Sequence, residues 1–292
     1  MSYRTVYITH RCRCSYKNGY MVVRQDEQTM IHLSEIAMVV VESTAAYISS
    51  YLMAELAQAR IPVVFCDVKH DPIGQYSPIY GAHDSTKRIR EQIAWDSSIG
   101  DELWRRIVIS KISNQARVLE LFELEQACML REYAMCVEPN DVTNREGHAA
   151  KVYFNALFGT GFSRDENNAI NAQLNYGYAI LLAWLNREIT SRGYLTQLGI
   201  HHCNEYNHFN LSCDFMEPFR PVIDLYVANR PDESLDTKTK SDILELFSDF
   251  HQLPQGSYRL SSILSLFTKT NLAILSGRAD IDTYLEFSLA EE

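Results

Sequence analysis

The spacing of apolar residues changes near position 85. Before it they come in short, β-branched runs; after it they recur at three- and four-residue intervals. Residues 4–8 (RTVYI) and 19–23 (GYMVV), the second following Lys17-Asn18-Gly19, read as two strands joined by an Asn-Gly turn. Asn and Gly tolerate the positive φ values that such a turn needs. Residues 36–41 (IAMVVV) form a run of strand length, 45–57 (AAYISSYLMAELA) a short amphipathic helix, and 61–66 (IPVVFC) a further strand. This order predicts a sheet with a helix packed on one side. Residues 71–85 (DPIGQYSPIYGAHDS) gather Pro, Gly, Ser and Asp and are the linker candidate, with Asp84 or Ser85 capping the next helix. Beyond it Ile89, Ile93, Trp104, Ile107, Val108 and Ile112 recur at helical spacing, and helical patterns also cover 149–158, 169–189 and 241–250. The predicted class is α+β. A small β-rich domain (1–75) is followed by a linker (76–85) and a larger, mainly α-helical domain (86–292).

Composition changes this picture little. With 292 residues, 46% hydrophobic and 22% charged, the chain is an ordinary globular one, long enough for one large or two unequal domains. The N-terminal stretch MSYRTVYITHRCRC lacks the apolar run of a signal peptide, and the most apolar segments, 36–41 and 178–185, are too short to span a bilayer. The seven cysteines are scattered and form no Cys-x-x-Cys pair. That argues against a disulfide framework or a zinc ribbon, and a reduced, cytoplasmic protein is expected.

The net charge of −10 opposes nonspecific DNA affinity, which comes from Lys and Arg neutralising phosphates. The charge is uneven, however: residues 231–292 hold 5 basic and 11 acidic side chains. Basic groups such as Lys87, Arg88 and Arg90, or Arg105 and Arg106, could line a DNA path or simply form solvated helix faces.

Three helical-region segments carry candidate chemistry. In Thr143-Asn144-Arg145-Glu146-Gly147-His148, Thr143 or Asn144 would cap a helix ended by Gly159, placing Glu146 in the first turn. Taken alone, Glu146 there is readily explained by the helix dipole. In Gly199-Ile200-His201-His202 the adjacent histidines point apart, so one of them at most joins a given site. A zinc site from His201, Cys203, His208 and Cys213 has suitable ligands at a spacing that matches no familiar finger or ribbon. In Asp214-Phe215-Met216-Glu217-Pro218-Phe219-Arg220-Pro221 the two acids share a helix face, where a bound cation would relieve their repulsion. If Pro218 opens a helix, Glu217 becomes the cap and that argument fails.

These segments, with Phe154-Asn155-Ala156-Leu157-Phe158-Gly159 and Asn171-Ala172-Gln173-Leu174-Asn175-Tyr176-Gly177-Tyr178-Ala179, resemble in order and wording the CRISPR-associated integrase that captures new spacers, the first-numbered protein of the adaptation pair. The phrase MEPFRP is most similar to the branch that accompanies the single-protein RNA-guided effector nuclease (type II), and the resemblance thins after about Asn229.

The resemblance implies a divalent metal, Mg²⁺ or Mn²⁺, held by Glu146, His202 and Glu217, with Asp214 as a secondary ligand and His202 preferred to His201 by register. It implies an endonuclease and integrase that joins the 3′-OH ends of captured DNA to a CRISPR repeat by transesterification. Arg145, Lys151 and Arg220 would contact phosphates, and Asn171, Asn175 and Tyr178 would form a polar network or a DNA-facing surface. Expected partners are double-stranded DNA, a second copy of the chain through the β-rich half, the small second adaptation protein in a heterohexamer, and the effector nuclease. No ATP-binding Gly-rich loop is present. A non-catalytic DNA-binding scaffold and a general metal-dependent nuclease are the rival readings.

Overall fold

The computed structural model describes residues 4–68, 72–76 and 82–289. The β-rich part comprises β1 (Arg4–Ile8), β2 (Arg13–Lys17), β3 (Tyr20–Arg24), β4 (Gln28–His32), β5 (Ile36–Val41), β6 (Tyr47–Ile48), α1 (Ser50–Gln58), β7 (Val63–Cys66) and β8 (Pro72–Tyr76). The helical part comprises α2 (Ser85–Ile93), α3 (Ser97–Leu121), α4 (Gln126–Met135), α5 (Arg145–Phe158), α6 (Ala169–Thr190), α7 (Asn210–Met216), α8 (Arg220–Ala228) and α9 (Thr237–Glu245). A hairpin, β9 (Phe250–Leu253) and β10 (Gly256–Arg259), then leads into α10 (Leu260–Leu275). The architecture is the α+β arrangement expected from the change of apolar period.

The Asn-Gly turn is present, but its strands differ from the sequence reading. Asn18 (φ 48°) and Gly19 (φ 86°) join β2 to β3, and the RTVYI strand lies in another sheet, parallel to β5. Alternation of Cys12 and Cys14 on the buried side with Arg11 and Arg13 outside was the overlooked strand signal. One sheet has the order β4-β3-β2-β6 and the other β1-β5-β7-β8, in which only β8 runs antiparallel to its neighbour. The helix expected over 45–57 begins instead at Ser50. Ser49 caps it by accepting from Leu52 N, and Tyr47–Ile48 pair with β2. Part of the proposed linker is strand β8, residues 77–81 lie outside the described residues, and Asp84 occupies the cap position of α2. The pattern over 241–250 divides between the end of α9, a 3-10 turn and β9.

Every residue of β5 is buried, because its sheet is a wall between two cores. Val39 and Val41 face α1 and the first hairpin, with Leu52, Leu56 and Met21. Met38 and Val40 belong to the larger core of the helical half, which also holds Trp104, Leu181 and Phe267. Each apolar position in the run is thus consumed by one core or the other.

The two parts are also joined by a buried ion pair. Lys240 Nζ of α9 donates to Glu42 Oε1, just beyond β5, at 2.7 Å, and both side chains are about 95% buried. Removing one partner leaves a charge in a dry interior, which typically costs about 3–5 kcal/mol, whereas removing both can be nearly neutral. Lys240→Met is therefore expected to lower the urea-unfolding free energy by about 3 kcal/mol or more, and adding Glu42→Leu to recover much of it. Equal losses in the single and double variants would show that the pair does not act as a unit.

Candidate metal centre

The site is built around α3. Asp96 caps this 25-residue helix by accepting from Ser98 N, and its inner stripe runs through Trp104, Ile107, Val108, Lys111, Asn114, Gln115 and Val118. Lys111 is the anomaly in that stripe, an ammonium that is 7% exposed. Its Nζ is shared between Oε1 of Glu146 and Oε2 of Glu217.

Glu146 reaches this position through a tight turn. Asn140, Asp141 and Asn144 all adopt positive φ. Asp141 accepts from the backbone N–H of Arg145 at 2.8 Å and of Glu146 at 2.9 Å, and Asn144 accepts from Gly147 N at 3.3 Å. Two orphan donors of α5 are thus met by one carboxylate, which fixes where Glu146 leaves the backbone. Asn144 is the N-cap, and Gly159 (φ 97°) ends the helix as expected.

Glu217 lies in a 3-10 turn, Glu217–Phe219, between α7 and α8. Its neighbours keep right-handed helical dihedrals, so Pro218 interrupts the helix without turning Glu217 into a detached cap. Asn114, one turn beyond Lys111, donates to the Pro218 and Phe287 carbonyls at 2.9 Å each. The same helix thereby positions both the carboxylate and its counter-ion. The Glu217 side chain is only 3% exposed and meets Arg220 Nε at 3.0 Å through Oε1. Burial alone would raise its pKa, but Arg220 and Lys111 outweigh burial and hold it below the usual carboxylate range. For Lys111 burial pushes downward, and Glu217 and Glu146 more than reverse it.

The doubled histidine divides cleanly. His201 stacks on Trp104, with ring centroids 4.3 Å apart and planes 6° from parallel, and its Nδ1 lies 2.8 Å from Asn140 Oδ1. His202 turns the other way, its Nδ1 2.7 Å from Asp214 Oδ1. Nε2 is left as its remaining nitrogen, on a ring close enough to Glu217 and Glu146 to be influenced by both charges. The Asp214 bond raises the His202 pKa, against the opposing effect of burial.

Asp214, which the resemblance carries as a secondary ligand, is here engaged by the histidine loop. Its fully buried carboxylate also accepts from the N–H groups of Ile200 (2.7 Å), His201 (3.3 Å) and His202 (3.0 Å). With its oxygens so committed it shapes the histidine loop and orients one imidazole, the role that outer-sphere carboxylates play for metal-bound histidines. Gly199 permits this: a Cβ there would press into the His202 carbonyl and stand 2.7 Å from Asp214 Oδ2.

Among the phosphate candidates, Lys151 is exposed on α5, Arg145 lies over the Tyr133 ring (5.6 Å), and Arg220 lies over Tyr178 (4.7 Å) while paired to Glu217. Asn171 and Tyr178 belong to the interior rather than to a DNA-facing surface. Asn171 is bonded to Arg164 and to the Ser163 and Glu166 carbonyls, and the Tyr178 hydroxyl donates to buried Asp224. Only Asn175 is exposed, held by Arg164 at 2.7 Å. Sequence reasoning missed Lys111, Asp141 and Arg164. A lysine inside an apolar helical stripe was the signal for the first.

Among the described residues no three His, Cys, Asp or Glu side chains form a ready-made metal-binding group, and this includes the His201, Cys203, His208 and Cys213 set. Glu146 and Glu217 nevertheless already share one cation, the Lys111 ammonium, and His202 presents a nitrogen beside them. Two carboxylates and an imidazole around a position that holds positive charge are a donor set that suits Mg²⁺ or Mn²⁺.

A β-rich half joined to a helical half that carries such a site defines a specific class. The family model described as CRISPR associated protein Cas1 matches residues 6–234, and the chain belongs to that family. The CRISPR-associated endonuclease Cas1 of Neisseria meningitidis serogroup C is 37% identical over 229 residues, covering 78% of this chain and 75% of that protein. In structure, the chain is similar to a casposase bound to integration product, with a TM-score of 0.79 at 16% identity over 100% of this chain and 96% of the other. It is also similar to a Cas6-RT-Cas1–Cas2 complex, with a TM-score of 0.71 at 19% identity over 99% of this chain and 36% of the other. At such identities the structural likeness is one of fold. Among the described residues no helix is long and apolar enough to cross a membrane.

Gly199→Ala is expected to lower stability by about 1–3 kcal/mol in urea unfolding, because the added methyl overpacks the histidine loop. Gly161→Ala, with no atom within 4 Å of the new Cβ, is the neutral control. Equal effects in the two would remove the argument from close approach.

Asp224, buried beneath Tyr178 and Tyr153, is pushed up by burial from 3.8 to about 6. The folded state then binds this proton more tightly than the unfolded chain does. Its stabilising contribution is greatest below pH 3.8 and is lost as pH rises to about 6. Replacing Asp224 by Asn should flatten the fall in urea midpoint across that window, and parallel pH profiles for the two proteins would contradict it.

Proposed function

We propose that the chain is a divalent-metal-dependent DNA integrase and endonuclease of CRISPR adaptation, which joins 3′-OH ends of captured DNA to a CRISPR repeat. The observation that carries this reading is the convergence of Glu146 and Glu217 on one cation, with His202 oriented beside them by Asp214. Membership of the Cas1 family, and the endonuclease and integration named for its relatives, support the same chemistry.

Glu146, Glu217 and the Nε2 of His202 are the residues that would hold Mg²⁺ or Mn²⁺. Such an ion, when bound, polarises a phosphodiester and stabilises the oxygen that leaves it. The protein supplies the rest. Lys151 is exposed on the helix that carries Glu146, where it can bind a backbone phosphate, and Arg220 adds positive charge beside Glu217. Asp214 keeps the proton or the hydrogen bond on Nδ1 of His202, so that Nε2 faces the reacting groups. In strand joining, the 3′-hydroxyl oxygen of the captured fragment forms a bond to phosphorus. The bond from that phosphorus to the departing 3′-oxygen breaks, and the hydroxyl proton is passed on to the departing oxygen. With water as the attacking group, the same exchange is a cleavage.

The assembly follows the same reading. A homodimer through the β-rich half would use β4, an edge strand with exposed Met30, and contact with the small second adaptation protein is suggested by the Cas1–Cas2 complex of similar fold.

Glu146→Ala and His202→Ala are expected to lower Mn²⁺-dependent strand joining on branched DNA by about 10²-fold or more, with circular dichroism and oligomeric state unchanged. Glu217→Ala is a poorer test, since it takes from Arg220 its carboxylate and from Lys111 one of two, and Glu217→Gln is preferred. Full joining by Glu146→Ala would leave the non-catalytic scaffold as the better reading.

A further inference from the structure

Lys111 stands apart from the other basic residues near the site. Among the described residues its ammonium is held by the two carboxylates, on a side chain that is 7% exposed. A buried cation of this kind is retained at a desolvation cost that is repaid only by charge it neutralises. Glu217 shares its charge between two cations, since Arg220 meets its other oxygen at 3.0 Å. The second anion is Glu146, whose side chain, 28% exposed, is the more open of the two.

The two cations also differ in freedom. The Arg220 guanidinium is planar and fixed, paired to Glu217 and laid over the Tyr178 ring at 4.7 Å. Lys111 is a compact charge on a flexible four-carbon stem, able to reposition by side-chain rotation while its helix stays still. Of these two cations, it is the one whose charge can be moved by side-chain rotation alone.

We propose that Lys111 is an exchangeable internal counter-ion, whose ammonium and a divalent cation are alternative partners of the Glu146 and Glu217 carboxylates. This rests on the metal-centre reading above. Lys111 is a positioning residue here: it keeps two acids close together without metal, so that the chain folds with its site assembled. Loading of the ion requires the ammonium to withdraw, at least from Glu146, and that withdrawal weakens metal binding. An ordinary structural ion pair would predict the opposite, since losing it would disorder the acids and weaken the metal site.

The test is Mn²⁺ binding by isothermal titration calorimetry, without DNA, on the full chain and on Lys111→Met. The expected result is that Lys111→Met binds Mn²⁺ about tenfold or more tightly than the wild type. It should also melt lower without metal and show the larger rise in Tm when Mn²⁺ is added. Unchanged or weaker Mn²⁺ affinity in Lys111→Met overturns the exchange proposal while leaving the metal centre standing. Absence of Mn²⁺ binding in both proteins overturns the metal centre and the exchange together. Should Lys111→Met fail to fold, the wild type labelled with ¹³C at lysine Cε decides the matter. The Lys111 resonance, assigned with Lys111→Arg, should move on Mg²⁺ titration, and a resonance that stays fixed while Mg²⁺ binds overturns the proposal.

Discussion

Burying the Glu217 carboxylate is the constraint from which the rest of the helical half follows. An isolated carboxylate in so dry a position would give up its charge or unfold the region around it. It remains ionised because Lys111 and Arg220 meet its two oxygens, and each cation must in turn be delivered by an element of fixed register. The 25-residue helix α3 delivers one, and Asn114 on the same helix ties down the turn that carries the acid. The Arg220 guanidinium needs the Tyr178 ring, and the Tyr178 hydroxyl needs Asp224. A chain of polar groups thus runs from the site into the core, and such networks favour one packing over its near neighbours.

A second polar centre sets the geometry of the imidazole. Asp214 gathers three backbone N–H groups and one ring nitrogen, which bends residues 200–202 around a single carboxylate. Asn140 reaches across to His201, so the turn that places Glu146 is linked to the loop that places His202. The acid and the imidazole come from distant parts of the sequence, yet their positions are coupled through one asparagine side chain.

Much of this was legible in the residues. The change of apolar period located the two halves, and Gly159 and Asn144 marked the ends of α5. The ordered motifs around Glu146, His202 and Glu217 indicated which side chains to follow. Other features depended on pairing that no local pattern contains. RTVYI looks like a hairpin arm, but it pairs with IAMVVV in a parallel sheet, a contact between distant segments. Asp214 and Glu217 share a helix face by spacing, yet one meets backbone amides and the other two cations, because different elements pack against each. Lys111 was overlooked because a lysine in an apolar stripe ordinarily extends its charge to water. Here water is replaced by two acids from separate segments. Helix α10 was missed as well, since its signal lay where the family motifs had ended.

The shared wall formed by β5 bears on how the protein can be divided. Its residues alternate between two interiors, so neither half owns the strand. A fragment ending in the linker region would keep the first hairpin and α1, but would expose Met38, Val40 and Val64 as an apolar face. The halves can be told apart in composition and topology, but they share the buried strand β5. A relative that borrowed only one half would have to rebuild the surface at which the other had been packed.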